Sequence, residues 1–150
     1  MTTKPFLPPP PPAYPPGMAP EQRLLRPAGT PPDNLAAHLA RHGRLPAASA
    51  ATIIGQVDAS GLLGRGGAGF PAGRKMRTVA AGSGRAVVVG NGCEGEPGSG
   101  KDDLLLRQSP HLVLDGLSLA ARAVGADQVH LVLHAGSAAA PSLARAIEER

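Results

Sequence analysis

The sequence predicts an α/β fold built on a parallel βαβ unit, from three observations. β-Branched runs at Arg85–Gly90, RAVVVG, and at Gln128–Leu133, QVHLVL, read as short buried strands. Between them Ser109-Pro110 opens a helix, PHLVLDGLSLAARAVG, that stops near Gly125, with serine as N-cap and proline at the first helical position. A connection of that length returns the second strand beside the first in the same direction, as a right-handed crossover.

The remaining elements follow from local signals. Asn34–His42 is rich in alanine and leucine, with Asp33 or Asn34 as N-cap and Gly43 as the stop. His38 and His42 stand one turn apart on that helix. No glutamate follows the first histidine and no third ligand is evident, so they read as an ordinary solvated pair rather than a metal site. Ser49–Val57 reads as a second helix that buries Ile53, Ile54 and Val57. Helix resumes at Arg74–Ala81, and again from Asp102 to Gln108. In the long helix Leu112, Leu119 and Val124 are expected at core positions. Ser137–Arg150 closes the series as a final helix containing Pro141.

Composition limits the function classes. Of the 150 residues, positions 1–32 open with a proline run that leaves little to bury, so they read as a disordered tail and linker, with a domain over 33–150. The opening has no apolar h-region, and no later segment offers about 18 uninterrupted apolar residues for a membrane span. Cys93 is the only cysteine, so neither a disulfide, a zinc site nor a four-thiolate cluster can be built within the chain. A soluble, cytoplasmic protein is expected. The net charge is +4, and Arg65, Arg74, Lys75, Arg77 and Arg85 fall in an acid-free gap between Asp58 and Glu94. Such a stretch suits a phosphate-bearing ligand. Nucleic acid is disfavoured, because stacking needs aromatics and the chain holds only Phe6, Tyr14 and Phe70.

Two glycine loops carry the chemistry. Gly64-Arg65-Gly66-Gly67-Ala68-Gly69 satisfies G-x-G-x-x-G, but it neither follows a strand directly nor meets a carboxylate about 20 residues later, so it is not a standard Rossmann turn. Gly95–Lys101 matches the first seven positions of a P-loop. The next residue is Asp102 where a magnesium-binding Ser or Thr is needed, and Glu94 and Glu96 would repel a polyphosphate. Carboxylates accept hydrogen bonds from hydroxyls and ring N–H groups. The basic 64–75 segment is therefore expected to take the phosphate of a mononucleotide cofactor, and the acidic 91–96 loop its polar head.

The stretches SGLLGRGGAGFPAGRK, Ser60–Lys75, and NGCEGEPGSGKD, Asn91–Asp102, followed by Ser109-Pro110-His111, together resemble the FMN- and NADH-binding subunit of respiratory complex I, of about 51 kDa, shared with NAD-linked hydrogenases and formate dehydrogenases. The likeness covers about residues 34–150, the N-terminal part of the family's flavin domain. It implies an α/β flavin-binding domain in which Gly64, Arg65, Gly66, Ala68, Gly69 and Lys75 hold FMN. Asn91 would contact the flavin's polar part, Glu94 would stand where flavin and nicotinamide meet, and Glu96 would support the loop. NADH is the implied substrate, and a partner subunit carrying iron–sulfur clusters or leading to quinone is the implied acceptor. There are departures: Cys93 stands where the family has Asp, Asp103 where it has Arg, Met76 where it has an aromatic, and His134-Ala135-Gly136 where it has Arg-Gly-Glu. The family's later NADH loop and cluster cysteines have no counterpart here.

The expectation is thus an FMN-binding module of an NADH dehydrogenase-type oxidoreductase, with little NADH oxidation by the chain alone. Two alternatives stand beside it: a non-catalytic partner module of the same fold, and, more distantly, a P-loop nucleotide binder.

Overall fold

The computed structural model describes residues 24–26, 29–64, 68–95 and 98–150. Three helices come first: α1 (Leu35–His42), α2 (Ala50–Ala59) and α3 (Ala72–Ala80). Strand β1 (Val87–Asn91) follows, then α4 (Lys101–Gln108), α5 (Pro110–Val124), β2 (Gln128–Val132) and α6 (Ala140–Glu148). The two strands pair in parallel, with Val87 opposite Gln128 and Asn91 opposite Val132, as a crossover through α4 and α5 requires. Of the tail and linker expected over 1–32, residues 1–23, 27 and 28 lie outside the described residues.

Local signals set most element ends. Asn34 caps α1, its side-chain oxygen accepting from the Ala37 amide at 2.9 Å, and Gly43 ends the helix at φ 76°. Ser49 caps α2 by accepting from the Thr52 amide at 3.2 Å. Pro110 sits at the start of α5, but Ser109 is not its side-chain cap. The Ser109 hydroxyl instead donates to the Leu24 carbonyl at 2.6 Å, which ties residue 24 to the body. Arg41 adds a second tie, donating to the Leu25 carbonyl at 3.0 Å.

The core combines branched apolar residues with alanines. Ile53 and Ile54 of α2 are buried against Ala123 of α5, with Val57, Met76 and Leu119 packed around them. Leu106 of α4 and Leu143 and Ala146 of α6 are buried as well. In α5 the buried positions are Pro110, His111, Ala121 and Ala123. The expected core residues Leu112, Leu119 and Val124 are only partly covered. Alanines and larger apolar side chains thus share the interior, with Ala121, Ala123, Ala139 and Ala146 buried beside Ile53, Ile54, Leu106 and Leu143.

Gly90 brings β1 onto α5. A Cβ there would meet Leu117 at 2.8 Å and Leu131 at 2.9 Å. Among the described residues the opposite face of the sheet is left uncovered, with Val87, Val89 and Val132 exposed by 48%, 60% and 47%. No helix among the described residues is long and apolar enough to cross a membrane.

The histidine pair on α1 is not solvated. His38 is 1% exposed and its Nε2 lies 2.8 Å from the Asp115 carboxylate of α5. His111 of α5 is fully buried, with Nε2 3.1 Å from Glu149 and Nδ1 accepting from Arg150 Nε at 3.3 Å. The His38 ring lies 5.0 Å from His42 and 5.5 Å from His111. These groups pin α1 to α5 and to the end of α6. A partner 77 residues away cannot be read from helical spacing. Among the described residues no group of three or more His, Cys, Asp or Glu is arranged to hold a metal.

Candidate functional site

The first glycine loop is closed at its neck and leads into a helix. Leu63 and Pro71 form an antiparallel bridge, the Gly64 amide donates to the Phe70 carbonyl at 2.8 Å, and the Ala72 amide donates to the Leu62 carbonyl at 2.9 Å. Gly69 adopts φ 58°, which a side chain would strain, and so lets the chain turn into α3. Ala68 is exposed, and Gly69 is half-buried. Arg65 and Gly66, both expected at the phosphate, lie outside the described residues.

Helix α3 starts without a side-chain cap. Among the described residues its Gly73 and Arg74 amides have no acceptor, whereas Ala72 and Lys75 donate to backbone carbonyls. Its first turn carries no acid. Arg74 and Lys75 stand there instead, both exposed. Lys75 therefore belongs to the helix rather than to the loop. Positive side chains at the positive end of a helix are unfavourable unless an anion joins them. The nearest carboxylate is Asp58 of α2, which packs so closely that a Cβ at Gly73 would overlap it, but it is already ion-paired with Arg77. Phe70 is 46% exposed, with the Arg74 guanidinium 5.8 Å from the ring centre. This end of the molecule presents two cations and an aromatic face above two amides without an acceptor, that of Gly73 buried against Asp58.

The second loop is closed by its own acid. Asn91 ends β1 with an exposed side chain whose oxygen accepts from the Cys93 amide at 3.0 Å. Gly92 lies tight against Leu106 and Leu133, where a Cβ would stand within 2.8 Å and 2.7 Å of their methyls. The Glu94 side chain is 15% exposed. Its Oε1 lies 2.5 Å from Lys101 Nζ and its Oε2 accepts from the Asp102 amide at 3.0 Å, so it caps α4. The Lys101 ammonium, then the Asp102 amide, hold the Glu94 carboxyl below the ordinary carboxylate value against the opposing effect of desolvation. Glu94 in turn raises the Lys101 ammonium. The Glu94 carbonyl accepts from His134 Nε2 at 3.3 Å. Glu96 lies outside the described residues.

That geometry disposes of the P-loop reading. The lysine that would reach a phosphate is bound to Glu94, and the helix amide that would cradle one is capped by the same carboxylate. Cys93 is a free, half-buried thiol. No hydrogen bond or ion pair among the described residues joins the two loops to each other. Lys101 and His134 were legible in the sequence only as a P-loop lysine and a departure from the family, not as partners of Glu94. Glu94 meets residues seven and eight positions further along, and spacing along the chain does not encode those contacts.

Comparison with known proteins agrees with the loops. The family model for the Nuo51 FMN-binding domain matches residues 57–150, well over half of the chain. An NADH-quinone oxidoreductase component of Aquifex aeolicus is 38% identical over 81 residues, 54% of this chain and 19% of that protein. The mitochondrial NADH-ubiquinone oxidoreductase 51 kDa subunit of Neurospora crassa is 42% identical over 87 residues, 54% of this chain and 17% of that protein. Among solved structures, the NAD+-reducing NiFe-hydrogenase in its H2-reduced state superposes with a TM-score of 0.61 at 37% identity, covering 67% of this chain and 18% of the hydrogenase chain. The chain spans about a fifth of the length of these relatives. With both glycine loops inside the matched region, the chain belongs to the Nuo51 FMN-binding domain family of NADH dehydrogenase 51-kDa subunits.

Proposed function

We propose that residues 33–150 form an FMN-binding module of an NADH:acceptor oxidoreductase, and that the phosphate of FMN lies at the start of α3. The observation that carries this reading is the contrast between two helix starts. That of α3 is uncapped and carries Arg74 and Lys75, while that of α4 is capped by Glu94. An anion completes the first and is excluded from the second. Gly64, Arg65, Gly66, Ala68 and Gly69 offer backbone close to the phosphate, and Lys75 supplies a charge-assisted hydrogen bond.

Asn91 and Glu94 then face the polar edge of the flavin, with Glu96 supporting the loop and Glu94 alone at the reacting edge. Bound FMN supplies a ring that takes hydride from NADH and passes electrons on singly. What the chain's own residues do is orient: Asn91 holds its loop through the Cys93 amide, and Glu94 keeps a fixed negative charge beside the ring. The relatives come from multi-subunit oxidoreductases, so an electron-transfer partner carrying iron–sulfur clusters, or leading to quinone, belongs to the same reading. A cytoplasmic setting, with the free Cys93 thiol reduced, goes with it.

The test is a pair of fluorescence titrations with FMN and with riboflavin, which lacks the phosphate. The protein should prefer FMN, and Lys75→Ala should cost FMN about 1–3 kcal/mol of binding while leaving riboflavin nearly unchanged. Equal losses for both ligands would move Lys75 away from the phosphate. Failure to bind either would favour a partner module that kept the fold without the flavin.

A further inference from the structure

We propose that Lys101 is a positioning residue for Glu94: with the Asp102 amide in the first turn of α4 it fixes the Glu94 carboxylate in one place as an acceptor-only group, so that the ligand atom set against it must be a hydrogen-bond donor. This rests on the flavin reading above and deepens it by naming what selects the group at the reacting edge.

The grip has two points. Glu94 Oε1 meets Lys101 Nζ at 2.5 Å and Oε2 meets the Asp102 amide at 3.0 Å. An exposed ion pair alone contributes little, and Lys101 is 43% exposed. Here the acid is largely covered and one of its oxygens is anchored to main chain, so the lysine acts on a carboxylate that is already immobile. Lys101 also lies 3.4 Å from the Asp102 carboxylate. It therefore stands between two acids that would otherwise repel each other across the helix start. The groups facing Glu94 are Lys101, Asp102 and the Ser99 hydroxyl, with His134 at its carbonyl. Every one of these contacts at the carboxylate favours the ionised form, and an ionised carboxylate only accepts. A carboxamide N–H or a sugar hydroxyl can sit against it. A ring carbonyl or a phosphate cannot.

The experiment is a pH titration of the Glu94 side-chain carboxyl by 13C NMR in the flavin-free protein, as wild type, Lys101→Gln and Lys101→Arg. Lys101→Gln should move the Glu94 midpoint upward, and Lys101→Arg should restore it. A midpoint unmoved by Lys101→Gln, or moved as far by Lys101→Arg, would overturn the proposal. Should Lys101→Gln fail to fold, the wild type still decides, because the Asp102 amide shift must follow the Glu94 midpoint if the two-point grip exists. A different midpoint for that amide would contradict it. All of these readouts precede flavin binding, so failure of the flavin reading shows separately, as an FMN titration without saturation.

Discussion

Glu94 and Glu149 do the same work at two helix starts, each closing a helix amide with a carboxylate oxygen. Glu94 accepts from Asp102, and Glu149 accepts from Leu35 at 2.7 Å. The Leu35 amide, followed by His111, holds the Glu149 carboxyl below its ordinary value against desolvation. His42 is also lowered, first by burial and then by the neighbouring His38 and Arg41, which outweigh Asp33 and Asp115. All three groups bind protons less readily when folded. Their contribution to stability is therefore complete above the unfolded-state values and is lost as pH falls. Thermal melts should show a first decline below the ordinary imidazole value of about 6.5, from His42, and a second as pH falls through the carboxylate range. His42→Gln should flatten the first step and leave the second. Unchanged melts across the imidazole range in wild type would contradict the burial of His42. Gly90 makes a separate prediction. Its missing side chain lets β1 meet Leu117 and Leu131, so Gly90→Ala should destabilise by about 1–3 kcal/mol, measured by denaturant melts.

At the scale of elements, the helices and strands were legible because their signals are local. Asn34, Gly43, Ser49 and Pro110 mark starts and stops by their own backbone preferences, and the apolar runs at 87–91 and 128–132 fix the strands. Asn34→Ala should therefore cost about 1 kcal/mol. Ser109→Ala should lose only the bond to the Leu24 carbonyl, leaving α5 intact by circular dichroism. The roles of the helix starts were not legible in the same way. Gly95–Lys101 has the composition of a phosphate loop, yet Glu94 turns back to occupy the helix start that a phosphate would need. Gly64–Lys75 lacks the expected strand before it and nonetheless leads into the uncapped helix. The identity of the capping group, not the glycine pattern, separates the two loops, and capping depends on a loop path that no local rule supplies.

For the whole molecule, the parallel pairing was legible from connection length, while the uneven covering of the sheet was not. Parallel sheets are ordinarily packed on both faces. In this chain α5 covers one face, and Val87, Val89 and Val132 remain exposed on the other. Leu106→Ala should accordingly cost about 2–5 kcal/mol, because Leu106 is 3% exposed between α4 and the Gly92 turn. Val89→Thr should stay within about 0.5 kcal/mol. Equal losses at the two positions in denaturant melts would mean that the bare face is covered in solution. The histidine and carboxylate contacts that join α1, α5 and α6 were equally hidden, since each partner comes from a distant part of the chain. The assignment of the two helix starts is tested most directly by amide-resolved NMR during titration with FMN and, separately, with riboflavin. The Gly73 and Arg74 amides should shift with FMN but not with riboflavin, while the Asp102 amide should show no phosphate-dependent change. A phosphate-dependent shift at Asp102, with Gly73 and Arg74 unmoved, would place the phosphate at α4 and contradict it.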